Sequence, residues 1–203
     1  MTKAEWGAAI VLAMVALVFL ALRFCRPLLP LAKAMDRFSA GLGVIANWLV
    51  LLACFVSAAN ATVRYLFNYS SNGWLELQWY MFAGMVLLGA SYTLRVNEHV
   101  RVDLIYGSVS DRTRHWIDIL GGVVFLLPMC VLMIYFSWPW FMQSWRLNES
   151  SNNAGGLLTW PVKLLIPVSF AILALQGLAE IIKRAAALRG FYVHEYAYET
   201  PLQ

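Results

Sequence analysis

The chain has 203 residues, of which 61% are hydrophobic and only 13% carry a charge. Soluble globular domains have about 45–50% apolar and about 25% charged residues, so the composition excludes an ordinary soluble domain and indicates an integral membrane protein. The formal net charge of +4 is modest, and we expect no nucleic-acid partner.

Five apolar segments are long enough to cross a membrane, because about 20 helical residues span a hydrocarbon core roughly 30 Å thick. The first segment lacks the charged start and the small-residue cleavage site of a signal peptide, so we interpret it as a retained helix. Pro128 and Pro167 should kink the fourth and fifth segments without ending them. The sequence therefore predicts an all-α helical bundle with five transmembrane helices. In chain order they cover residues 7–24, 42–67, 74–94, 117–140 and 160–182.

Lysine and arginine are distributed unevenly between the connections. The connections after the first, third and fifth segments contain 11 of the 15 positive residues. Cytoplasmic connections of membrane proteins are rich in these residues, so we expect the N-terminus outside and the C-terminus in the cytoplasm. Residues 31–38 favour a short amphipathic helix lying in the membrane interface, with a plain basic loop as the alternative.

Polar residues within the apolar segments are few. Arg64 and Glu76 lie about one turn from the outer ends of the second and third segments, where they can pair with each other or contact a partner. Trp74 belongs to a group of tryptophans near the outer ends, which is typical of an interfacial aromatic belt. Three deeper polar residues are expected to form interhelical hydrogen bonds: Asn47, Asn60 and Gln176.

The sequence NEHVRVD, residues 97–103, concentrates charge between the third and fourth segments. Glu98 and Arg101 are three residues apart and can pair on a helical turn. Asp103 can pair with Arg95, with Arg101 or with a charge on another chain. A catalytic acid–base pair needs a pocket and a substrate, and this hairpin offers neither. We therefore interpret the stretch as a polar anchor at the cytoplasmic surface.

Sequence signs of catalysis or of a cofactor are lacking. His99, His115 and His194 lie outside the apolar segments, whereas membrane cytochromes hold haem with histidines inside helices. The motifs GxxxxGK[ST], GxSxG and HExxH do not occur. The three cysteines lie in or beside apolar runs without CxxC spacing, which argues against a disulfide framework or a zinc site. We expect no enzyme activity, no catalytic residue, and no metal or cofactor bound to this chain.

Four segments occur in an order that resembles a known family. They read RYLFN, WLELQWYMF, GASYTLRVNEHVRVDLIY and WPVKLLIPVSFAILALQGLAEIIKR. Together they resemble the small membrane subunit, DctQ-like, of the tripartite ATP-independent periplasmic (TRAP) transporters of bacteria and archaea. The most specific part combines Gly89 and Ala90, Arg95, and the HVRVD run at residues 99–103.

The resemblance divides the chain into three parts. Residues 36–189 resemble the membrane domain of the small subunit, which in the family has four helices and cytoplasmic termini. Residues 1–35 then form an extra N-terminal transmembrane helix with a basic linker, and residues 190–203 form a polar aromatic tail. The extra helix departs from the family pattern because it places the N-terminus outside.

The resemblance also implies the partners and the role of the chain. A large membrane subunit carries the substrate and sodium sites, and a periplasmic binding protein delivers the solute, usually a carboxylate or sulfonate. The small subunit packs beside the large one in the cytoplasmic (inner) membrane, in contact with lipid, and adds docking surface for the binding protein. Candidates for assembly or partner contact are Arg64, Trp74, Glu76, Arg95, His99, Arg101 and Asp103.

Two other functions remain open at the level of sequence. A membrane anchor subunit of a redox enzyme complex would carry haem or quinone, which the histidine positions disfavour. A stand-alone channel or transporter would need charged groups near the membrane midplane or an inverted repeat, and the sequence shows neither.

Overall fold

The computed structural model describes residues 3–69, 71–98 and 109–193, with side chains from residue 13 onward. The described chain is helical apart from short connections and one isolated β-bridge between Ser150 and Leu158. A π-helical turn, Gly122–Leu126, joins α3 to α4, so that Asp111–Arg146 is one continuous helix. The helices are α1 (Lys3–Phe67), α2 (Asn72–Val96), α3 (Asp111–Gly121), α4 (Leu127–Arg146) and α5 (Trp160–Leu188).

Four continuous helical runs therefore stand where five separate helices were expected, and the five-helix count is not confirmed. The difference lies in α1, whose 65 residues include the first two apolar segments and the basic stretch between them. A straight helix of that length would be about 98 Å long, several times the thickness of a hydrocarbon core. Residues 31–38 are helical, as the first expectation had it, and not a basic loop, but they continue α1 and do not form a separate short helix.

A kink at Phe24 interrupts α1. Phe24 has non-helical dihedral angles, φ −113° and ψ 19°, and Pro27 and Pro30 follow within the helix. Proline has no backbone N–H, and its ring crowds the carbonyl four residues earlier. The carbonyl of Arg23 thus loses its partner at Pro27, which accounts for a bend at this point rather than an end.

Pro128 and Pro167 do not end their helices, as expected. Pro128 is the second residue of α4 and directly follows the π-helical turn, where its missing N–H removes one regular hydrogen bond. Pro139 and Pro167 lie inside α4 and α5. Among the described residues, three helices are long and apolar enough to cross a membrane: Ala13–Phe67, Asp111–Arg146 and Trp160–Leu188.

The chain forms two compact units. Unit 1 comprises Met1–Arg37, Leu94–Met129 and Ala174–Gln203, and unit 2 comprises Phe38–Thr93 and Cys130–Leu173. The core of unit 1 joins the N-terminal part of α1 to α3, the π-helical turn and the end of α5. Its buried residues are Ala21, Cys25, Ile119, Val123, Ile181, Ala185 and Ala186.

Unit 2 brings α1 and α2 into close contact. A Cβ atom at Gly43 would lie 2.6 Å from the ring of Tyr92, so only glycine allows this approach. Gly89, from the segment that carries the family resemblance, packs against Ala46 at an ordinary distance. Small residues therefore set the spacing of these two helices.

Candidate functional site

A buried carboxylate organises one end of unit 2. Glu76 lies near the start of α2 and is only 4% exposed. It accepts hydrogen bonds from the hydroxyl of Ser151, from Asn153 Nδ2 at 2.9 Å and from the backbone N–H of Leu157 at 2.7 Å. All three donors belong to the connection between α4 and α5, so Glu76 holds this loop against α2. We refer to these four residues as the Glu76 cluster.

Further contacts tie the same loop to the first turn of α2. Asn72 donates from Nδ2 to the carbonyl of Ala154 at 3.1 Å. A Cβ atom at Gly73 would come within 3.0 Å of the carbonyl oxygen of Gly155, so the two backbones lie in close contact.

An ion pair closes the base of the loop. Lys163 of α5 donates to the carboxylate of Glu149, and its ammonium lies 4.5 Å from the ring centroid of Trp140. The hydrogen bond from Lys163, together with one from Ser144, lowers the pKa of Glu149 below its ordinary value. Lys163 is thus occupied within the chain.

Unit 1 contains a second cluster, centred on a buried cation. The ammonium of Lys183 lies 2.9 and 3.0 Å from the two carboxylate oxygens of Asp36 and 2.6 Å from Glu180. Gln176 donates from Nε2 to Asp36 at 2.9 Å and to Glu180 at 3.1 Å. These four residues form the Lys183 cluster, which joins α1 to α5.

The neighbouring residue Arg184 extends this network to other elements. Its Nε lies 3.2 Å from the carboxylate of Asp118 in α3. Its Nη1 and Nη2 lie 3.4 Å from His115 Nδ1 and from Asn97 Oδ1. Successive helical residues point about 100° apart, so Lys183 and Arg184 face different neighbours. The end of α5 is therefore fixed to α1, to α3 and to the residue after α2.

The site residues predicted from sequence differ in how far they are exposed. Glu76 is buried, Arg95 is partly buried near the end of α2, Arg64 is exposed in the last turn of α1, and Trp74 is 47% exposed. The suggested ion pair of Arg64 with Glu76 does not form, since Glu76 is satisfied by the loop. His99, Arg101 and Asp103 lie outside the described residues.

Sequence reasoning missed most of the Lys183 cluster. By sequence, Lys183 and Arg184 are two of the positive residues in the connection after the fifth apolar segment, and nothing in the sequence assigns a role to Asp36. Gln176 does form the interhelical hydrogen bond expected of it. The sequence does contain one indication of this cluster. The spacing of Gln176, Glu180 and Lys183 places three polar side chains on one face of an otherwise apolar helix.

The charged side chains of these clusters are engaged by other groups of the chain. Each buried charge described above has a partner of opposite charge or a set of hydrogen-bond donors within the same unit. In the part of the chain that the structure describes, no group of three or more His, Cys, Asp and Glu residues is placed to hold a metal ion. The clusters join helices and a loop, as structural networks do.

Comparisons with known proteins agree with one another. The family model described as "Tripartite ATP-independent periplasmic transporters, DctQ component" matches residues 53–187. The C4-dicarboxylate TRAP transporter small permease protein DctQ of Vibrio cholerae serotype O1 is 34% identical over 97 residues, which cover 45% of this chain and 41% of that relative. The matched region is thus less than half the length of the relative. No solved structure matches the chain.

Proposed function

Since the chain belongs to the DctQ component family of the tripartite ATP-independent periplasmic transporters, we propose that it is the accessory small membrane subunit of such a transporter. It is a component of a transport system and not an enzyme. In this proposal it packs against a large membrane subunit and stabilises it for sodium-coupled uptake of an organic acid. A periplasmic binding protein delivers the acid, and sodium binds to the large subunit.

One structural observation carries this role. The buried cations Lys183 and Arg184 and the partly buried Lys163 pair with carboxylates of the chain itself. Charged groups that bind a transported ion or solute must exchange partners during transport, whereas groups that join helices keep theirs. The pairing found here supports a fixed scaffold beside the moving parts of a transporter.

The proposal includes a location and an orientation. The chain is embedded in a membrane through several apolar helices. We place it in the cytoplasmic (inner) membrane of a bacterium or archaeon, with the N-terminus in the periplasm and the C-terminus in the cytoplasm. The concentration of positive residues in three connections supports this orientation.

Reconstitution tests the accessory role. Proteoliposomes with the large subunit and this chain, supplied with the binding protein and an inward sodium gradient, should take up an organic acid. The name of the Vibrio relative makes a C4-dicarboxylate the first substrate to test. Vesicles that lack this chain should show no sodium-dependent uptake above background. Undiminished uptake without it would contradict the accessory role, and solute flux through this chain alone would indicate a transporter in its own right.

A further inference from the structure

The segment 23–37 of α1 differs from the helix on either side of it. It contains Arg23, Arg26, Lys33, Asp36 and Arg37, whereas residues 6–22 and 38–63 contain no charged residue. The flanking stretches are suited to hydrocarbon, and long basic side chains beside them reach toward the lipid headgroups. The charged segment therefore belongs at the level of the membrane interface.

The helical segment after the Phe24 kink has three distinct faces. Its buried face carries Cys25, Ala32 and the partly buried Asp36. Its basic face carries Arg26, Lys33 and Arg37, which fall within an arc of about 40° at about 100° per residue. All three basic side chains are exposed. The arc next to them is exposed and apolar, and its residues are Pro27, Pro30, Leu31 and Ala34.

The charges of the basic face are not neutralised by any residue that the structure describes. Among the described residues, no carboxylate lies within ion-pair distance of Arg26, Lys33 or Arg37, and Asp36 is occupied by Lys183. The buried cations Lys183 and Arg184 of the same unit pair with carboxylates. The three cations of the basic face form an exposed row and have no such partner among the described residues. Such a row attracts a ligand with negative charge.

Two aromatic residues stand beside this row. The guanidinium of Arg26 lies 5.8 Å from the ring centroid of Phe191, and the ammonium of Lys33 lies 5.8 Å from that of Tyr192. Both distances are within the range of cation–π contacts. Aromatic rings are enriched where a membrane protein meets the headgroups. The contacts hold two of the three cations in place at that level.

We propose that Arg26, Lys33 and Arg37 form a binding site for the headgroup phosphate of an anionic phospholipid. The adjoining apolar arc around Leu31, which is 66% exposed, lies against the acyl chains of the same lipid. A basic row next to an exposed apolar face matches a ligand that is anionic at one end and apolar at the other. A soluble anion has no apolar part that could contact the apolar arc.

Lipid titration of the purified full-length chain tests the site. The chain in detergent is titrated with phosphatidylglycerol or with phosphatidylcholine, and bound lipid is counted by native mass spectrometry. We expect phosphatidylglycerol to bind at least tenfold more tightly, since each basic residue near an anionic headgroup contributes roughly fivefold. Binding should weaken as salt rises. Equal affinity for the two lipids would overturn the proposal.

A matched pair of triple variants locates the site. R26Q/K33Q/R37Q should lose the preference for phosphatidylglycerol, whereas R64Q/R112Q/R146Q, which removes three other exposed positive charges, should retain it. Equal loss in both would show that net charge and not this row is responsible. The charge-preserving variant R26K/R37K should still bind, which guards against an unfolded triple variant. Displacement of the lipid by millimolar inorganic phosphate would identify a soluble-anion site and overturn the assignment to lipid.

Discussion

The Glu76 cluster and the Lys183 cluster satisfy a buried charge in opposite ways. Glu76 is an anion surrounded by uncharged donors from one loop, while Lys183 is a cation held between two carboxylates from two helices. The contacts of Glu76 are charge-assisted hydrogen bonds from uncharged donors, whereas those of Lys183 are ion pairs with two carboxylates. The first arrangement orders a loop, and the second joins helices that are far apart in the chain.

Removal of the central cation should have the largest effect. Lys183→Met leaves Asp36 and Glu180 close together without a counter-charge, and breaking a buried ion pair in this way costs about 3 kcal/mol or more. Thermal unfolding of the purified chain in detergent should show a clearly lower Tm. The double variant D36N/K183M should recover part of the loss, because it removes one of the two uncompensated carboxylates. An unchanged Tm for Lys183→Met would contradict the described role of the cluster.

Loss of the central anion should have a smaller and more local effect. Glu76→Gln offers one amide oxygen to three donors and turns its own N–H groups toward the others. Hydrogen exchange at the backbone N–H of Leu157 should become roughly tenfold faster or more, with little change in the helices. Glu98→Gln, which changes an exposed carboxylate, is the matched control and should leave this exchange unaffected. Uniformly faster exchange would instead mean that Glu76 supports the whole unit.

The ion pair of Glu149 with Lys163 should make a pH-dependent contribution to the stability of the chain. The pKa of Glu149 is lower in the folded chain than its ordinary value of 4.5, because Lys163 donates to the ionised form. Its stabilisation is therefore fully present above about pH 4.5 and is lost as the pH falls through the lowered folded-state pKa. The Tm difference between the unmodified chain and Glu149→Gln should be small near neutral pH and should vanish in strong acid. A Tm difference that grows as the pH falls would contradict this prediction.

Charge reversal in the NEHVRVD stretch should have the smallest effect on the chain itself. If the stretch is a polar anchor at the cytoplasmic surface, as its sequence indicates, R101E or D103R should leave the Tm of the isolated chain nearly unchanged, because exposed ion pairs contribute little to stability. We expect them to lower the yield of complex with the large subunit instead, with R112E as the control. Normal assembly with an altered substrate dissociation constant would defeat this prediction.

The helical character of the chain was predictable because it depends on local properties. Long apolar runs need a helix in a membrane, since only a helix or a closed barrel satisfies the backbone there. The ends of α2, of the continuous helix Asp111–Arg146 and of α5 lie within about six residues of the ends of the apolar segments from which they were inferred. The continuity of α1 was missed, because charged residues in segment 23–37 resemble a loop when only hydropathy is considered.

Side-chain partners were harder to predict than helices. Arg64 and Glu76 are twelve residues apart and oppositely charged, yet the donors that reach Glu76 come from residues 151–157. Asp36 and Lys183 are separated by 147 positions, and nothing in the spacing connects them. Hydropathy ranks each residue separately, whereas a partner depends on which helices pack together.

Composition and apolar runs thus established a membrane-embedded, all-helical chain, and the order of its motifs established the family resemblance. Among the described residues, tertiary packing decided which charges are buried against partners and which stay exposed. Lys183 and Arg184 looked like any other basic residues in the sequence, but packing buries them against carboxylates, because an unpaired charge away from water is too costly to keep. Arg26, Lys33 and Arg37 lie on a different face of α1 in the same unit. They stay exposed there, where water and lipid headgroups can solvate them.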